Sequence, residues 1–454
     1  MRLRHGMDGA LGSFRPYPAY KDSWVEWLGD VPEHWEVRRL RFSLDLNPLA
    51  SELKYMTPET EVSFVPMEAI GEFGGLELSM KRTRSEVEGG YTYFRDGDVL
   101  VAQITPCFEN GKGALASGLE NGVGFGTTEL QVLRPGQELD RKFLLYITFS
   151  DAFRRLGQAE MYGAGGQKRV PGAFVENFEH PHPPLAEQRA IAAFLDRETA
   201  RIDALVAKNE RLVELLQEKR AALITHAVTK GLDPEAEMKD SGVEWLGRIP
   251  AHWEVKPLKR LGDLQGGAGF PEGEQGLGTE EIPFFKVGDM GSAENRRELG
   301  VSQHTISRDT ARRLNALVLP PGTVVFAKVG AALRLNRRRI VVRPSCIDNN
   351  MMGFIPAYCD TDWAMYWLTG LDLGDLANPG AVPSVNEGQM RDIAVIVPPV
   401  PEQRVIASFL DLETARIDEV VAKIREAIER LKELRTALIS AAVTGRIDVR
   451  EEAA

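Results

Sequence analysis

The 454-residue chain has only three cysteines, Cys107, Cys346 and Cys359, and none falls in a C-x-x-C pair or at His/Cys metal-ligand spacing. That excludes a disulfide scaffold and a zinc module, and it fits a reducing compartment, the cytoplasm. Long apolar runs are missing too: no stretch approaches the ~20 residues needed to cross a bilayer. Met1 to Phe14 carries arginines but lacks the continuous apolar segment of a secretory signal. Basic charge is not in excess. Fifty-five Lys and Arg against 66 Asp and Glu give a net charge of -11, which excludes a wholesale polycation and leaves local basic patches open. What is present suffices for sizeable cores: 43% hydrophobic and 27% charged residues, at a length suited to about two to four domains.

The chain resembles itself. Lys21-Asp22-Ser23 and Val25-Glu26-Trp27-Leu28-Gly29 return as Lys239-Asp240-Ser241 and Val243-Glu244-Trp245-Leu246-Gly247. Val31-Pro32-Glu33-His34-Trp35-Glu36-Val37 returns as Ile249-Pro250-Ala251-His252-Trp253-Glu254-Val255. A second block, Glu187-Gln188-Arg189 through Phe194-Leu195-Asp196 to Glu198-Thr199-Ala200-Arg201-Ile202-Asp203, is repeated as Glu402-Gln403-Arg404, Phe409-Leu410-Asp411 and Glu413-Thr414-Ala415-Arg416-Ile417-Asp418. The unit duplicated is far longer than a solenoid repeat, and the organisation is A-B-A′-B′.

The A segments diverge between copies and read as mixed α/β modules with short strands. Asp96-Gly97-Asp98-Val99-Leu100-Val101-Ala102 and Pro321-Gly322-Thr323-Val324-Val325-Phe326-Ala327 each predict a turn feeding a buried strand. Gly122 to Gly126 and Gly266 to Gly269 read as glycine-dense loops. Phe143–Ile147 and Trp363–Trp367 read as equivalent short helices.

The B segments read as two long helices. Leu195, Ile202, Asn209, Leu216 and Leu223 fall at heptad spacing, with Ile191, Leu205 and Leu212 on the adjacent line. Leu410, Ile417, Ile424, Leu431 and Leu438 form the same seam in the second copy, beside Ile406, Val420 and Leu434. Apolar heptads flanked by Glu, Lys and Arg are the coiled-coil signature. Such rods are roughly 60 Å long at 1.5 Å per residue, with Gly231 and Gly445 as stops. Each needs a partner for its stripe, and the simplest is the other rod in antiparallel pairing. The fold class is therefore α+β: two α/β modules joined by two long α-helices packed as an antiparallel coiled coil, a tandem pseudo-two-fold repeat. Boundaries read as an extension over 1–20, modules over 21–183 and 236–398, helical regions over 184–235 and 399–447, and a tail over 448–454. Two readings stand for Asn209: a buried polar group fixing register, or an exposed edge position.

Two similar modules on matched rods suit a target with two half-sites. Half-sites one turn apart on DNA lie about 34–36 Å from each other, and a stiff spacer sets their separation while ignoring the sequence between them. Retained segments would then be scaffold and partner surface, and divergent ones would read two different half-sites.

From about Tyr17 to Ile447 the chain resembles the specificity subunits of type I restriction-modification enzymes. The resemblance rests on the repeated Lys-Asp-Ser-x-Val-Glu-Trp-Leu-Gly and Pro-x-His-Trp-Glu-Val segments. It rests equally on the helix openings Pro-Pro-Leu-Ala-Glu-Gln-Arg at 183–189 and Pro-Pro-Val-Pro-Glu-Gln-Arg at 398–404. It implies that the A segments are target recognition domains and the B segments the central and distal helical regions. It implies double-stranded DNA, two modification (methyltransferase) subunits and restriction (motor-nuclease) subunits as partners, with no membrane partner. It also implies that this chain binds no cofactor, with S-adenosylmethionine, ATP and Mg on the partner subunits. Residues before Tyr17 depart from the pattern and read as an extension, with Met7 a second candidate initiator.

Catalytic motifs are thin, as a non-catalytic recognition subunit requires. Asn110-Gly111-Lys112-Gly113 lacks the first glycine and the hydroxyl of a phosphate loop. Gly122-x-Gly-x-Gly126 has no following helix and no acidic ribose partner. Asn47-Pro48-Leu49-Ala50 does not supply the aromatic loop with which an adenine methyltransferase holds a flipped base. His34 and His252, each beside a tryptophan, read as packing of the opening strand. The alternatives are a coiled-coil DNA-binding adaptor and the recognition part of a self-contained restriction-methylation enzyme.

Candidate DNA contacts are Lys and Arg near phosphates and Arg, Lys, Asn or Gln at base edges. In the first module these are Lys81, Arg82 and Arg84, Lys112 between glycines, and Gln167, Lys168 and Arg169 after Gly165-Gly166. In the second they are Lys328 and the run Arg334, Arg337, Arg338 and Arg339, with Arg296-Arg297 and Arg312-Arg313 adding charge. By constant offset the Gly165–Val170 loop corresponds to Gly380–Val385, where Ser384 and Asn386 offer polar groups instead. Trp27, Trp35, Trp245 and Trp253 recur in both copies and read as core or partner packing rather than base-stacking platforms.

Overall fold

The computed structural model describes residues 14–164, 166–378 and 382–450. Gly165, Gly380, Met7 with most of the N-terminal extension, and the last four residues of the tail lie outside the described residues. The chain divides into two compact units, Met1–Glu210 with Arg425–Ala454, and Arg211–Ile424. Each unit contains one module and a segment of both long helices. Among the described residues no helix is long and apolar enough to cross a membrane.

In the first unit the opening repeat forms a hairpin of Tyr20–Asp22 with Asp30–Pro32. Two four-stranded sheets follow. One has the order Lys81–Thr83, Glu61–Val65, Val123–Gly126, Thr92–Arg95; the other has Leu44–Leu46, Leu130–Pro135, Val99–Ala102, Gly113–Leu115. Val99–Ala102 is buried throughout, as its β-branched run predicts, and helix Arg141–Phe149 covers it.

The second unit repeats the plan. Hairpin Met238–Asp240 with Arg248–Pro250 opens it. Its larger sheet has the order Gly262–Gly266, Met351–Pro356, Val324–Ala327, Arg338–Val341, Glu298–Leu299. Its smaller sheet pairs Ile282–Phe285 parallel to Cys346–Ile347, as Glu61–Val65 pairs parallel to Val123–Gly126 in the first. Helix Thr361–Gly370 is the counterpart of Arg141–Phe149.

The glycine clusters correct the sequence reading in part: Gly122 lies in a turn and Gly267 to Gly269 lie outside the strands, as read, but the rest differ. Val123–Gly126 is a buried strand, not a loop. A Cβ on Gly124 would lie 2.4 Å from the Phe94 ring, and one on Gly126 would lie 2.7 Å from the Val65 carbonyl. A Cβ on Gly267 would likewise lie 1.9 Å from the Asp348 carbonyl oxygen. These glycines admit neighbours rather than bend the chain.

The long helices span Leu185–Lys230 and Val400–Val443 and end at Gly231 and Gly445 with φ of 79° and 72°. Within each unit they run antiparallel. In the first unit Arg435 meets Asp203 at 3.0 Å, and Leu195 and Ile202 share a core with Leu431 and Leu438. In the second, Arg220 meets Asp418 at 3.1 Å, and Leu223 packs in the core that holds Leu410. Leu216 and Ile424 are half-buried and Ile417 is buried; Asn209 is half-buried on the same line.

The second line of the seam holds in part: Ile191 and Ile406 are buried and Leu434 is half-buried. Leu205, Leu212 and Val420 are exposed. The buried or half-buried companions are Thr199, Val206, Val213, Arg220 and Ala227, and Thr414, Val421, Ile428, Arg435 and Ala442. Heptad spacing alternates three and four residues, and here the companion lies four residues after the first line.

The repeated Glu-Gln-Arg tripeptide explains its own retention. Gln188 Oε1 accepts the Asp140 amide at 2.8 Å, and its Nε2 donates to the carbonyls of Pro183 (2.8 Å) and Glu138 (3.0 Å). Gln403 likewise joins the Asp360 amide (2.7 Å) and the Pro398 carbonyl (2.8 Å). Asp140 and Asp360 are the N-caps of the two module helices, and Arg189 and Arg404 approach them at 3.9 and 3.6 Å. Glu187 accepts from the Tyr17 hydroxyl (2.7 Å), Trp35 Nε1 (3.1 Å) and His34 Nε2 (2.9 Å). Burial, and then the Glu187 carboxylate, push the Tyr17 hydroxyl far above its usual range. Glu402 receives His252 at 2.8 Å. Trp35 and Trp253 are buried and Trp27 stacks on Phe178, whereas Trp245 is exposed.

Buried polar groups make the scaffold testable. Gln188→Ala and Gln403→Ala each strand backbone groups that cost about 1–3 kcal/mol apiece when unpaired, so urea titration should show a comparable destabilisation for both. His180 sits in strand Glu179–His182 with its Nδ1 on the Pro181 carbonyl and its Nε2 without a partner among the described residues. Burial, followed by the neighbouring His182, lowers its pKa to about 3. The unfolded imidazole therefore takes up a proton below about 6.5 that the folded one refuses. Stability is complete above that pH and falls as the solution is acidified toward 3, by roughly 1 kcal/mol per pH unit for this one proton. The unfolding free energy of His180→Asn should fall less steeply between pH 6.5 and 4.

Candidate nucleic-acid interface

In each module the buried central strand ends beneath a loop from later in the chain, and the backbone frame is the same in both. In the first, Gln103 N–H donates to the Glu129 carbonyl (2.9 Å), Val170 N–H to Gln103 (2.8 Å) and Thr105 N–H to Lys168 (2.9 Å). In the second, Lys328 N–H donates to Asn350 (2.8 Å), Val385 N–H to Lys328 (2.9 Å) and Gly330 N–H to Pro383 (2.8 Å). The loop equivalence inferred from constant offset therefore holds bond for bond. It sets Gln103 against Lys328, Glu129 against Asn350, Lys168 against Pro383, and Arg169 against Ser384.

The side chains on this frame differ. In the first module Arg169 makes a two-point pair with Glu129, at 2.8 and 2.6 Å, and the carboxylate raises its pKa. Gln167 and Lys168 are exposed, without a side-chain partner among the described residues. In the second module Lys328 is half-buried with no ion pair among the described residues, and Ser384 is half-buried beside it. Asn349 and Asn350 stand exposed next to them. Sequence reasoning missed these two asparagines because it searched for charge, and a carboxamide beside a lysine carries no charge signal. Asn386 is corrected: its side chain accepts the Gln389 amide at 2.9 Å in a capping box, so its oxygen serves helix Glu387–Asp392.

The other basic candidates divide by what already neutralises them. Lys81 pairs with Glu120 at 2.6 Å. Arg82 lies 4.0 Å over the Phe64 ring. Arg84 bonds Glu88 at 2.9 Å and the Met56 carbonyl. Lys112 donates to the Met67 carbonyl at 2.9 Å, and its neighbour Gly111 makes room for the Phe73 ring, 3.0 Å from a built Cβ, rather than for a ligand. This first cluster is largely internal.

The arginine run of the second module splits in two. Arg334 and Arg337 are exposed, with no ion pair among the described residues. Arg338 is only 4% exposed and donates to the carbonyls of Leu368 (3.0 Å), Leu371 (3.2 Å) and Arg337 (3.1 Å) and to Asn336 Oδ1 (2.6 Å). Burial lowers its pKa to about 9. Arg339 donates to the carbonyls of Asn295, Met290 (2.6 Å) and Arg338 (2.7 Å), and burial lowers it to about 10. Arg338 and Arg339 are thus corrected from ligand contacts to backbone clamps. Arg297 is taken up by Asp362 (2.6 Å) and Asp411, Arg312 by Asp309 (3.2 Å), and Arg313 by Glu274. Arg338→Gln should cost about 2 kcal/mol or more through stranded carbonyls, and Arg337→Gln less than about 0.5. Urea unfolding of the two variants separates the roles.

Comparison with known proteins follows the same division. Residues 250–430 match the family described as type I restriction modification DNA specificity domain. The EcoAI specificity subunit of Escherichia coli is 44% identical over 186 residues, which is 40% of this chain and 31% of that protein. The EcoEI specificity subunit of Escherichia coli is 43% identical over 36% of this chain and 27% of its own length. The chain thus spans about a third or less of the length of these two relatives. The MjaVIII specificity subunit of Methanocaldococcus jannaschii is 22% identical over 92% of this chain and 94% of that protein.

Among solved structures, one reported for complex assembly and conformational transition of the type I R-M system is similar with a TM-score of 0.70 at 19% identity, covering 91% of this chain and 98% of that one. The HsdS subunit from Thermoanaerobacter tengcongensis is similar with a TM-score of 0.52 at 20% identity, covering 92% and 98%. These likenesses establish the fold: two α/β modules joined by two long helices in antiparallel pairing. The likeness to type I restriction modification DNA specificity domains is thus carried by residues 250–430, and the relative similar along 92% of the chain is a type I specificity subunit.

Proposed function

We propose that this chain is the sequence-reading specificity subunit of a type I restriction-modification enzyme, with each module addressing one half of a split duplex target. The observation that carries the reading is the pair of identical backbone frames bearing unlike side chains. Gln103, Glu129, Lys168 and Arg169 in one module stand where Lys328, Asn350, Pro383 and Ser384 stand in the other. A scaffold that holds its main chain fixed while exchanging groups at one exposed junction is what reading two different words requires. The exposed groups suit the chemistry: a Gln or Asn carboxamide pairs bidentately with adenine, and lysine meets phosphate or guanine.

On this reading the chain contributes recognition and scaffolding and performs no bond-making itself. Two modification subunits supply adenine methylation, and restriction subunits supply translocation and cleavage. S-adenosylmethionine, ATP and Mg reside on those partners, and the assembly works in the cytoplasm. With 55 Lys and Arg against 66 Asp and Glu, a recognition role rests on local basic patches and not on the net charge of -11.

The test uses the chain with its modification partner on duplexes in which each half-site is randomised in turn. Asn350→Ala should relax base preference in one half-site only, and Gln167→Ala in the other, each by about 1–3 kcal/mol of discrimination. Gel-shift selection followed by sequencing gives the readout. Loss of preference at both half-sites from either single change would contradict one module per half-site.

A further inference from the structure

Each unit contains a cleft where its module meets the paired helices, and equivalent residues line the two. Tyr146, Asp196 and Asp203 in the first correspond to Tyr366, Asp411 and Asp418 in the second, and seam residue Arg435 corresponds to Arg220. In both, the tyrosine hydroxyl bonds the first aspartate, at 2.8 and 2.6 Å. The remaining lining differs sharply in charge.

In the first unit Lys142, Lys432 and Arg435 are matched by Glu72, Asp196 and Asp203. Phe73 lines one wall, with Arg435 4.9 Å over its ring and bonded to its carbonyl at 3.0 Å. That cleft, of about 720 Å³, is open but balanced in charge. In the second unit a cleft of about 380 Å³ is lined by Arg220, Arg296, Arg297, Arg337, Arg338 and Arg339, against the acids Asp411 and Asp418 alone. Asp418 takes Arg220 at 3.1 Å, and Asp411, with Asp362 at the rim, takes Arg297. Arg338 and Arg339 bond only backbone carbonyls and one carboxamide, which satisfy their N–H groups without a carboxylate. Asp372 acts on Arg338 without bonding it. Arg296 and Arg337 are exposed and have no ion pair among the described residues. Gly291 lets the Arg337 guanidinium lie against the main chain, 2.6 Å from where a Cβ would stand.

Four guanidinium charges therefore share one cleft without a bonded carboxylate. Two are fixed in place by buried bonds, and two are free to close on a ligand. Planar guanidinium forks match the oxygens of a phosphate, and charge-assisted bonds of this kind are the strong ones. We propose that the cleft at the base of the second module binds a phosphate group, with Arg296 and Arg337 as its direct donors and Arg338 and Arg339 as fixed positive charge behind them. The phosphate belongs either to a duplex backbone or to a free polyphosphate. The site is separate from the loops assigned to base reading, and its excess of arginines has no counterpart in the first unit's cleft.

Two arms distinguish the sources. In the first, isothermal titration of the full chain with inorganic pyrophosphate at low salt should show one site. The double variant R296Q/R337Q should bind about ten-fold more weakly or worse, while K432Q, in the first unit's cleft, should bind as the parent does. Circular dichroism melting checks that the variants are folded. In the second arm, the affinity of the chain with its modification partner for duplex is measured against salt. The logarithmic slope of the double variant should be shallower by about 0.9 for each phosphate that is no longer neutralised.

A shallower duplex slope assigns the phosphate to DNA. Weakened pyrophosphate binding with an unchanged slope assigns it to a free polyphosphate. A chain that binds pyrophosphate through these arginines but no duplex keeps this site and removes the DNA-reading assignment. If the double variant changes neither readout, the cleft holds no phosphate and the proposal falls.

Discussion

The structure depends on one buried carboxamide used twice. Gln188 and Gln403 each sit in the first turn of a long helix, fully enclosed, and bond main-chain groups of the module that precedes that helix. A carboxamide can donate and accept at once, and here it closes the helix's opening turn against the cap of a module helix. Because the partners are backbone atoms, the bond is indifferent to the side chains the module carries elsewhere. The flanking glutamate extends the same logic to the opening hairpin through His34 and Trp35, or through His252. The motif was retained in both copies because it binds what every sequence shares.

That indifference is what permits divergence. Once the main chain is held, residues at the exposed junction are free to change, and they have changed: a two-point Arg169–Glu129 pair in one module stands where Ser384 and Asn350 stand in the other. The first module's junction is thereby partly self-neutralised, while the second leaves Lys328 and two asparagines open to an outside ligand. On the proposed function the two modules are not two copies of one reader. They are one frame with two unlike sets of polar groups.

How much of this was legible in the sequence depends on whether a residue's partner is local. The long helices were, because heptads encode their own seam, although the choice of a three- or four-residue step was not, and Leu205 and Leu212 face outward as a result. The buried strands at Val99 and Val324 were legible from β-branched runs. The strand glycines Gly124 and Gly126 were not, since only the approach of the Phe94 ring and the Val65 carbonyl reveals that they are gaps in a sheet. Among the candidate site residues, Gln167 and Lys168 are exposed and Lys328 is half-buried without an ion pair among the described residues. The burial of Arg338 was not legible: a run of arginines says nothing about which guanidinium turns inward to the carbonyls that end helix Thr361–Gly370.

Arginine's use in this chain follows from that last point. Five donors on a charge that persists at neutral pH let the same side chain clamp backbone carbonyls, bridge two helices or wait for an anion. The equivalent seam residues Arg220 and Arg435 bridge to the same aspartate of the repeat, yet only Arg435 also reaches a module, through Phe73. Where acids balance the cations of the first cleft, the second is left with Arg338 and Arg339, whose bonds are satisfied by backbone carbonyls and whose charges are not. Duplication preserved the geometry of the junction between module and helices. The two copies differ in what lines that junction: Phe73 and balanced charges in one, unmatched arginines in the other, so the excess positive charge exists in one copy alone.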